Sequence, residues 1–315
     1  MKKSLLGAAV ALAFSASAYA GPFYIDSGFD FGGNGSTRTS ELAELGYSGT
    51  LATSIYLGDP NTSGVNVSVI DTNIASIMNS YGFNTVAGSN GFGYAAPGQS
   101  NVDTLNQVTG TTLDTNGFRG DPSDWGVGGR FGIVYDYYLL GAGNVVDGAL
   151  FGGGYFDIFF TEDPTATART QIARLNVLGT QPVVGNQFKY TIFGNVSFDW
   201  TEDGVDDTTS AFQRNFFVDA DSNKTFYELW LDNIAAPLNL AVQWELDTNI
   251  NADGTAPADN LGGVQAVGYG GDQTSYMRQT TLDGSIVFNV PEPMSLALIG
   301  AGLLGIGVTR RFKAA

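Results

Sequence analysis

A period of two restricts this chain more than any other feature. Between residues 187 and 200, Phe188, Tyr190, Ile192, Val196, Phe198 and Trp200 share one parity, while Lys189, Thr191, Asn195, Ser197 and Asp199 share the other. Leu238, Leu240, Val242, Trp244 and Leu246 alternate in the same way with Asn239, Ala241, Gln243 and Glu245. Tyr47, Leu51, Ile55 and Leu57 alternate with Ser48, Thr50, Ser54 and Tyr56. Successive side chains of a strand point to opposite faces, so these runs put one face on a core and the other in water. That is the habit of antiparallel sheets. Segments 65–70, 131–140, 155–160, 211–218, 226–231 and 286–290 add strand candidates. Only 74–81 has helical spacing, with Ile74, Ile77, Met78 and Tyr81 on one side and Asp71 or Asn73 as cap. The chain has 43 glycines, many beside Asn or Asp, as turns require. The expectation is an all-β fold, an antiparallel β-sandwich or jelly-roll-like body. The glycine-rich stretch 82–132 forms a long loop region or a seam within it.

The two ends of the chain follow other rules. Met1-Lys2-Lys3 is basic, residues 5–14 are apolar, and Ala18-Tyr19-Ala20 puts small residues where a signal peptidase reads. This order predicts a secretory signal over 1–20, cleaved after Ala20. At the other end, Pro291-Glu292-Pro293 follows the strand-like segment ending at Val290. Neither proline can donate to a ladder, so the strand stops there. Residues 294–308 are apolar or small and uncharged, and Arg310, Arg311 and Lys313 follow. As a helix this run would rise about 23 Å at 1.5 Å per residue, short of a hydrocarbon core of roughly 30 Å. The basic residues would stay on the cytoplasmic side. The tail reads as a marginal membrane anchor.

Pro291, Glu292 and Pro293, the short apolar run and the terminal basic cluster with Arg310 and Arg311 resemble the PEP-CTERM sorting tail. The resemblance covers residues 290–313. It implies an exported precursor held in the inner membrane by a short transmembrane sorting helix until an exosortase-type enzyme cuts near the Pro-Glu-Pro. It also implies delivery to the cell surface or extracellular matrix, in company with exopolysaccharide and biofilm. The Pro-Glu-Pro residues would then be recognition residues for another enzyme. Three parts follow: a signal peptide (1–20), a secreted β-rich body (21–290) and a sorting tail (291–313).

Charge and missing residue types exclude several chemistries. The net charge is −17, and the ends hold five of the 14 basic residues, so the body is more acidic still. Such a surface repels nucleic acid, favours solubility and attracts cations. There is no cysteine, although an exported protein is free to use disulfides. There is no histidine, which removes the Ser-His-Asp triad, the Cys-His pair and imidazole zinc sites. An enzyme built here would have to use carboxylates, tyrosine or lysine. Glycan cleavage needs two acids flanking a sugar bond. The body's few glutamates include Glu228, which shares strand parity with Phe226 and Trp230, and Glu245, on the wet side of a strand.

Candidate binding residues are confined to loops. Asn249, Asn251 and Asp253 stand at alternate positions before Gly254, like the first half of an oxygen-lined calcium loop, with Asp247 nearby. Asp219 and Asp221 alternate with Asn223 in a second such segment, but Lys224 takes the place of the turn glycine. Glu202, Asp203, Asp206 and Asp207 form the densest acidic cluster, either a solvated loop or a weak cation site. Trp125 lies in a turn-rich, acidic segment, where an exposed indole could stack on a sugar ring. Calcium is thus a candidate ligand. The functional expectation is a non-enzymatic surface or matrix protein; the alternatives are a carboxylate-based polysaccharide-acting enzyme and a lectin-like glycan-binding module.

Overall fold

A computed structural model describes residues 21–28, 35–39, 41–81, 103–107, 132–144, 147–161, 169–182, 189–235, 242–250, 265–269 and 273–289. In chain order the elements begin β1 (Phe23–Ile25), β2 (Leu45–Leu57), β3 (Val67–Thr72), α1 (Ala75–Ser80) and β4 (Asp103–Gln107). Next come β5 (Gly132–Asn144), β6 (Gly148–Thr161), β7 (Arg169–Pro182), β8 (Lys189–Ser197), α2 (Ala211–Asn215) and β9 (Phe217–Asp219). The last are α3 (Phe226–Ala235), β10 (Gln243–Ile250), β11 (Gln265–Tyr269) and β12 (Gln273–Asn289). The long predicted strands are present, and every pairing is antiparallel. No helix among the described residues is long and apolar enough to cross a membrane.

The expected sandwich is replaced by a ring. Strands β2, β3, β5, β6, β7, β8, β10 and β12 each pair with the next, and β12 returns to pair with β2. That seam runs from Ser275↔Leu57 to Ile286↔Leu45. The wall is an up-and-down barrel of eight staves, and closure removes the open edges a sheet would otherwise expose. From Thr53 the register passes through Thr72, Tyr138, Tyr155, Asn176, Asn195 and Gln243 to Asn289. It returns to β2 about eleven residues below its start, the kind of stagger tilted strands need to close. Alternation could not have distinguished these folds: it says that one face is buried, not whether the sheet curls onto itself or packs on a second sheet.

One stave is built in two pieces. β3 pairs with the upper part of β5, from Val67↔Gly143 to Thr72↔Tyr138, and β4 pairs with its lower part, from Asp103↔Tyr135 to Leu105↔Ile133. Asn73 stands at the break. Its Nδ2 donates to Tyr135 O at 3.0 Å and its Oδ1 accepts from Tyr137 N at 2.8 Å, so a side-chain amide fills the gap in the ladder. Asn73 is therefore no helix cap; the N–H of Ile74 is taken by Thr72 Oγ1 at 3.0 Å. Beside it Asp71, also offered as a cap, is buried, accepting from Tyr137 OH at 2.8 Å and Ser54 Oγ at 2.7 Å.

The barrel interior is a packed core. Tyr137, Phe156, Leu175 and Val196 follow one another around the wall, as do Tyr135, Ile158 and Ala173, and all are buried. An eight-stranded barrel is about wide enough for side chains to fill. The even alternation expected along β2 does not hold. Leu45 and Tyr56 have opposite parity, yet both belong to the core. The reason is a bulge: the β12–β2 register shifts between Thr280 and Leu282, and each extra residue turns the following side chains to the other face. Further bulges interrupt β5–β6, β6–β7 and β7–β8. At Gly154, opposite Leu139, φ is +112° and a Cβ would lie 2.0 Å from Tyr138 O, so only glycine fits.

The second unit is a plug at one end of the barrel. β1 pairs with β9 in a two-stranded sheet, and α2 and α3 flank β9 in sequence. Segments 211–218 and 226–231 were expected as strands but are largely these two helices. Their starts explain why. Ser210 caps α2 in a full capping box with Gln213. Thr225 Oγ1 accepts from Glu228 N at 3.0 Å while Glu228 Oε2 accepts from Thr225 N at 2.8 Å, the same box at α3. Phe226 and Trp230, one turn apart, then bury the same side of α3.

Candidate functional site

The plugged end is where both ends of the body meet. β12 runs to Asn289, and its penultimate residue, Phe288, is fully buried. The Phe288 ring lies 5.1 Å from Phe23, 5.5 Å from Phe217 and 5.1 Å from Phe226, which fixes the last turn of the barrel to the plug. Gly21 N donates to Phe288 O at 3.0 Å. Ala220 N donates to Pro22 O at 2.9 Å, and Phe23 exchanges backbone hydrogen bonds with Leu42. Residue 21, the first after the predicted signal, is thus a hydrogen-bonded neighbour of the last strand before the predicted sorting tail. Periodicity gave no hint of this adjacency.

Residues 289–311 match the family model described as the PEP-CTERM protein-sorting motif. The chain carries this sorting motif. It begins on Asn289, the last residue of the closing strand, which is paired with Gln243. The motif implies an exported chain, sorted through the membrane and processed by exosortase. No curated protein and no solved structure matches the chain. Pro291, Glu292, Pro293, Arg310 and Arg311 lie outside the described residues, as do Ala18 and Ala20 of the predicted signal.

The other predicted site residues are scattered. Asp247 and Asn249 do not begin a loop: both belong to β10, which continues to Ile250, with Asp247 opposite Thr191 and Ser285 and Asn249 opposite Lys189 and Asp283. Asn251 and Asp253 lie outside the described residues, and so does Trp125. Asp219 is buried in β9, and its Oδ2 accepts from Ser222 N at 2.7 Å, closing the turn itself. Asp221 is exposed, and the nearby Asn223 Oδ1 accepts from Arg38 Nη1 at 2.8 Å, so a cation already sits there. Among the described residues no group of three or more acidic side chains is placed to hold a metal ion. Glu228 is spent on the α3 cap, while Glu245 sits in β10 opposite Phe193 and Val287.

Most carboxylates of the acidic loop after β8 accept hydrogen bonds from within the loop. Asp199 accepts from Asp203 N at 3.1 Å and Gly204 N at 2.8 Å. Asp207 accepts from Trp200 N at 2.7 Å and Thr201 N at 2.8 Å, and Asp203 accepts from Val205 N at 2.9 Å. Asp206 accepts from Thr208 N at 2.8 Å and from Tyr227 OH at 2.6 Å, with Arg214 alongside at 3.3 Å. Burial would raise the Asp206 pKa, but these hydrogen bonds and Arg214 hold it below 3.8. The same bond to Asp206 pushes the Tyr227 hydroxyl above 10.0.

Sequence reasoning missed a polar network on the outward face of the wall. Asp136 and Asp157 lie directly opposite one another on β5 and β6. Arg169 pairs with Asp136, its Nη1 3.0 Å from Oδ1, and Arg174 pairs with Asp157 through Nε at 2.7 Å and Nη2 at 2.8 Å. Each guanidinium also covers an aromatic ring: Arg169 that of Phe159 at 4.1 Å, Arg174 that of Tyr155 at 3.8 Å. Burial pushes the Asp157 carboxyl above 3.8 despite Arg174. Burial likewise disfavours the charged form of Arg174, but its bond to Asp157 outweighs that and raises its pKa further above the ordinary guanidinium value. Two like charges across a ladder destabilise it unless each finds a counter-ion. The alternation of Asp and Arg with apolar residues was the available signal, but partners on different strands require a register.

Proposed function

We propose that this is a non-enzymatic protein of the cell surface or extracellular matrix, exported through its N-terminal signal and released or fixed by processing of its C-terminal tail. One observation carries the reading. The sorting motif starts where the barrel's closing strand ends, so a cut near Pro291 takes nothing from the folded body. The plug, the packed interior and the self-satisfied acidic loop fit a body whose task is to persist rather than to turn over a substrate. The capping role of Glu228 speaks against its use as a catalytic acid.

The test follows the tail. In a cell with its sorting enzyme, intact-mass analysis of the surface or matrix fraction should find a chain lacking residues 294–315. Changing Pro291, Glu292 and Pro293 together to alanine should leave that segment attached and the chain with the membranes. A mature surface chain that retains its tail would refute the reading.

A glycan-binding role is the second reading, favoured by the outer wall. Tyr138 lies in one register row with Tyr155, Asn176 and Asn195; Arg174 covers the Tyr155 ring, so Tyr138, 5.9 Å from it between centroids, is the aromatic ring on offer. Aromatic faces and side-chain amides beside one another are what a sugar ring and its hydroxyls require. Retardation in polysaccharide-containing gels, lost on Tyr138→Ala, would support it. Unchanged mobility of the parent chain in exopolysaccharide would remove it.

A further inference from the structure

The joined ends fix how the precursor stands on the membrane. Gly21 and Phe288 are hydrogen-bonded at the plugged end, and β12 stops at Asn289. Five residue steps separate Asn289 from Met294, where the apolar run begins, and even fully extended they span at most roughly 18 Å. The wall above is long by comparison: staves of 13 or 14 residues, tilted in the barrel, rise roughly 30 Å.

We propose that, while the tail anchors it, the barrel stands on its plugged end, with the plug against the lipid surface and the opposite end directed away. Gly21 and Asn289, the described residues nearest in sequence to the two predicted processing sites, lie together at that base, so both processing steps act beside the same face of the folded body. This rests on the reading of the tail as a membrane anchor. The loop 220–223, tied to Pro22 by the Ala220 bond, lies in the gap. The connection between β2 and β3, with Thr62 and Ser63 exposed, lies at the far end. The surface offered to the environment is therefore the far end and the outer wall.

The chain has no cysteine, so one introduced thiol is a unique reporter. Asp221→Cys and Thr62→Cys place it on exposed residues at the base and the far end. The uncut full chain, kept whole by alanines at 291–293, is labelled in spheroplasts with a bulky maleimide polymer, and the membrane fraction is scored. The expected result is labelling at least tenfold slower at 221 than at 62. The difference should vanish in detergent. It should also vanish when a Gly/Ser insert of about twenty residues, roughly 25 Å in mean reach, follows Asn289. Equal rates in the membrane-held chain overturn the orientation and leave the anchor intact. Recovery of the uncut chain in the soluble fraction overturns the anchor reading, and the orientation with it.

Discussion

The two ends of the barrel are closed in different ways. At the base, Phe288 meets Phe23, Phe217 and Phe226, and Phe198 meets Tyr227 and Trp230 at 5.3 and 5.8 Å. At the far end an exposed carboxylate does the tying. Asp147 accepts from Gly64 N at 2.7 Å, Ser63 Oγ at 3.0 Å and Asn144 Nδ2 at 2.9 Å, joining the β5–β6 turn to the β2–β3 connection. Aromatic packing removes area from water and is insensitive to pH and salt; a solvated carboxylate knot is weak and acid-sensitive. The difference teaches that the end which must keep a separate layer seated, and hold both chain ends, is the one built from rings.

The comparison predicts a descending series of effects. Phe288→Ala should cost about 3–5 kcal/mol in urea unfolding and abolish the near-ultraviolet dichroism of the plug. A loss below about 1 kcal/mol would mean the rings do not hold the base. Midway up the wall, Arg174→Met should cost about 3 kcal/mol at neutral pH because Asp157 is left buried and uncompensated. Its sign with pH follows from Asp157. A carboxyl whose folded value is raised destabilises as pH climbs through that value, so the deficit should shrink on acidification. Thr225→Ala removes the α3 cap and should cost about 1 kcal/mol, with exchange of the first α3 amides quickened. Asp147→Asn should have the smallest effect, a slight fall in midpoint at neutral pH. Hydrogen bonds from Gly64, Asn144 and Ser63 hold the Asp147 pKa below 3.8. Its contribution is therefore present above 3.8 and lost as pH falls through the lower folded value, where parent and variant should converge.

Local pattern made the strands legible. The runs around Ile192 and Trp244 lie in β8 and β10, and in β8 Ile192, Val196 and Phe198, just past its end, are buried on one parity as the alternation required. What was missed needed non-local knowledge. The bulge opposite Thr280 and Leu282 turns β2 over, and no residue in 45–57 announces it. The helices α2 and α3 were legible in principle: Ser210 with Gln213 and Thr225 with Glu228 spell two capping boxes. Phe226, Glu228 and Trp230 have the even spacing of a strand, which concealed that Phe226 and Trp230 are also one helical turn apart. The sorting motif was readable because another enzyme must read it as linear sequence. The meeting of Gly21 with Phe288 was not, because it depends on the ring being closed.

Closure is the claim everything else leans on, and a disulfide across the seam tests it most directly. Thr53 and Gln279 are register partners on β2 and β12. In the cysteine-free chain, Thr53→Cys with Gln279→Cys should oxidise to an intramolecular bond in most molecules, seen as faster mobility in a non-reducing gel. Thr53→Cys with Ser285→Cys, six residues along the strand and roughly 20 Å away at 3.3 Å per residue, should not. Absence of the first crosslink, or equal yield from both pairs, would contradict a closed barrel.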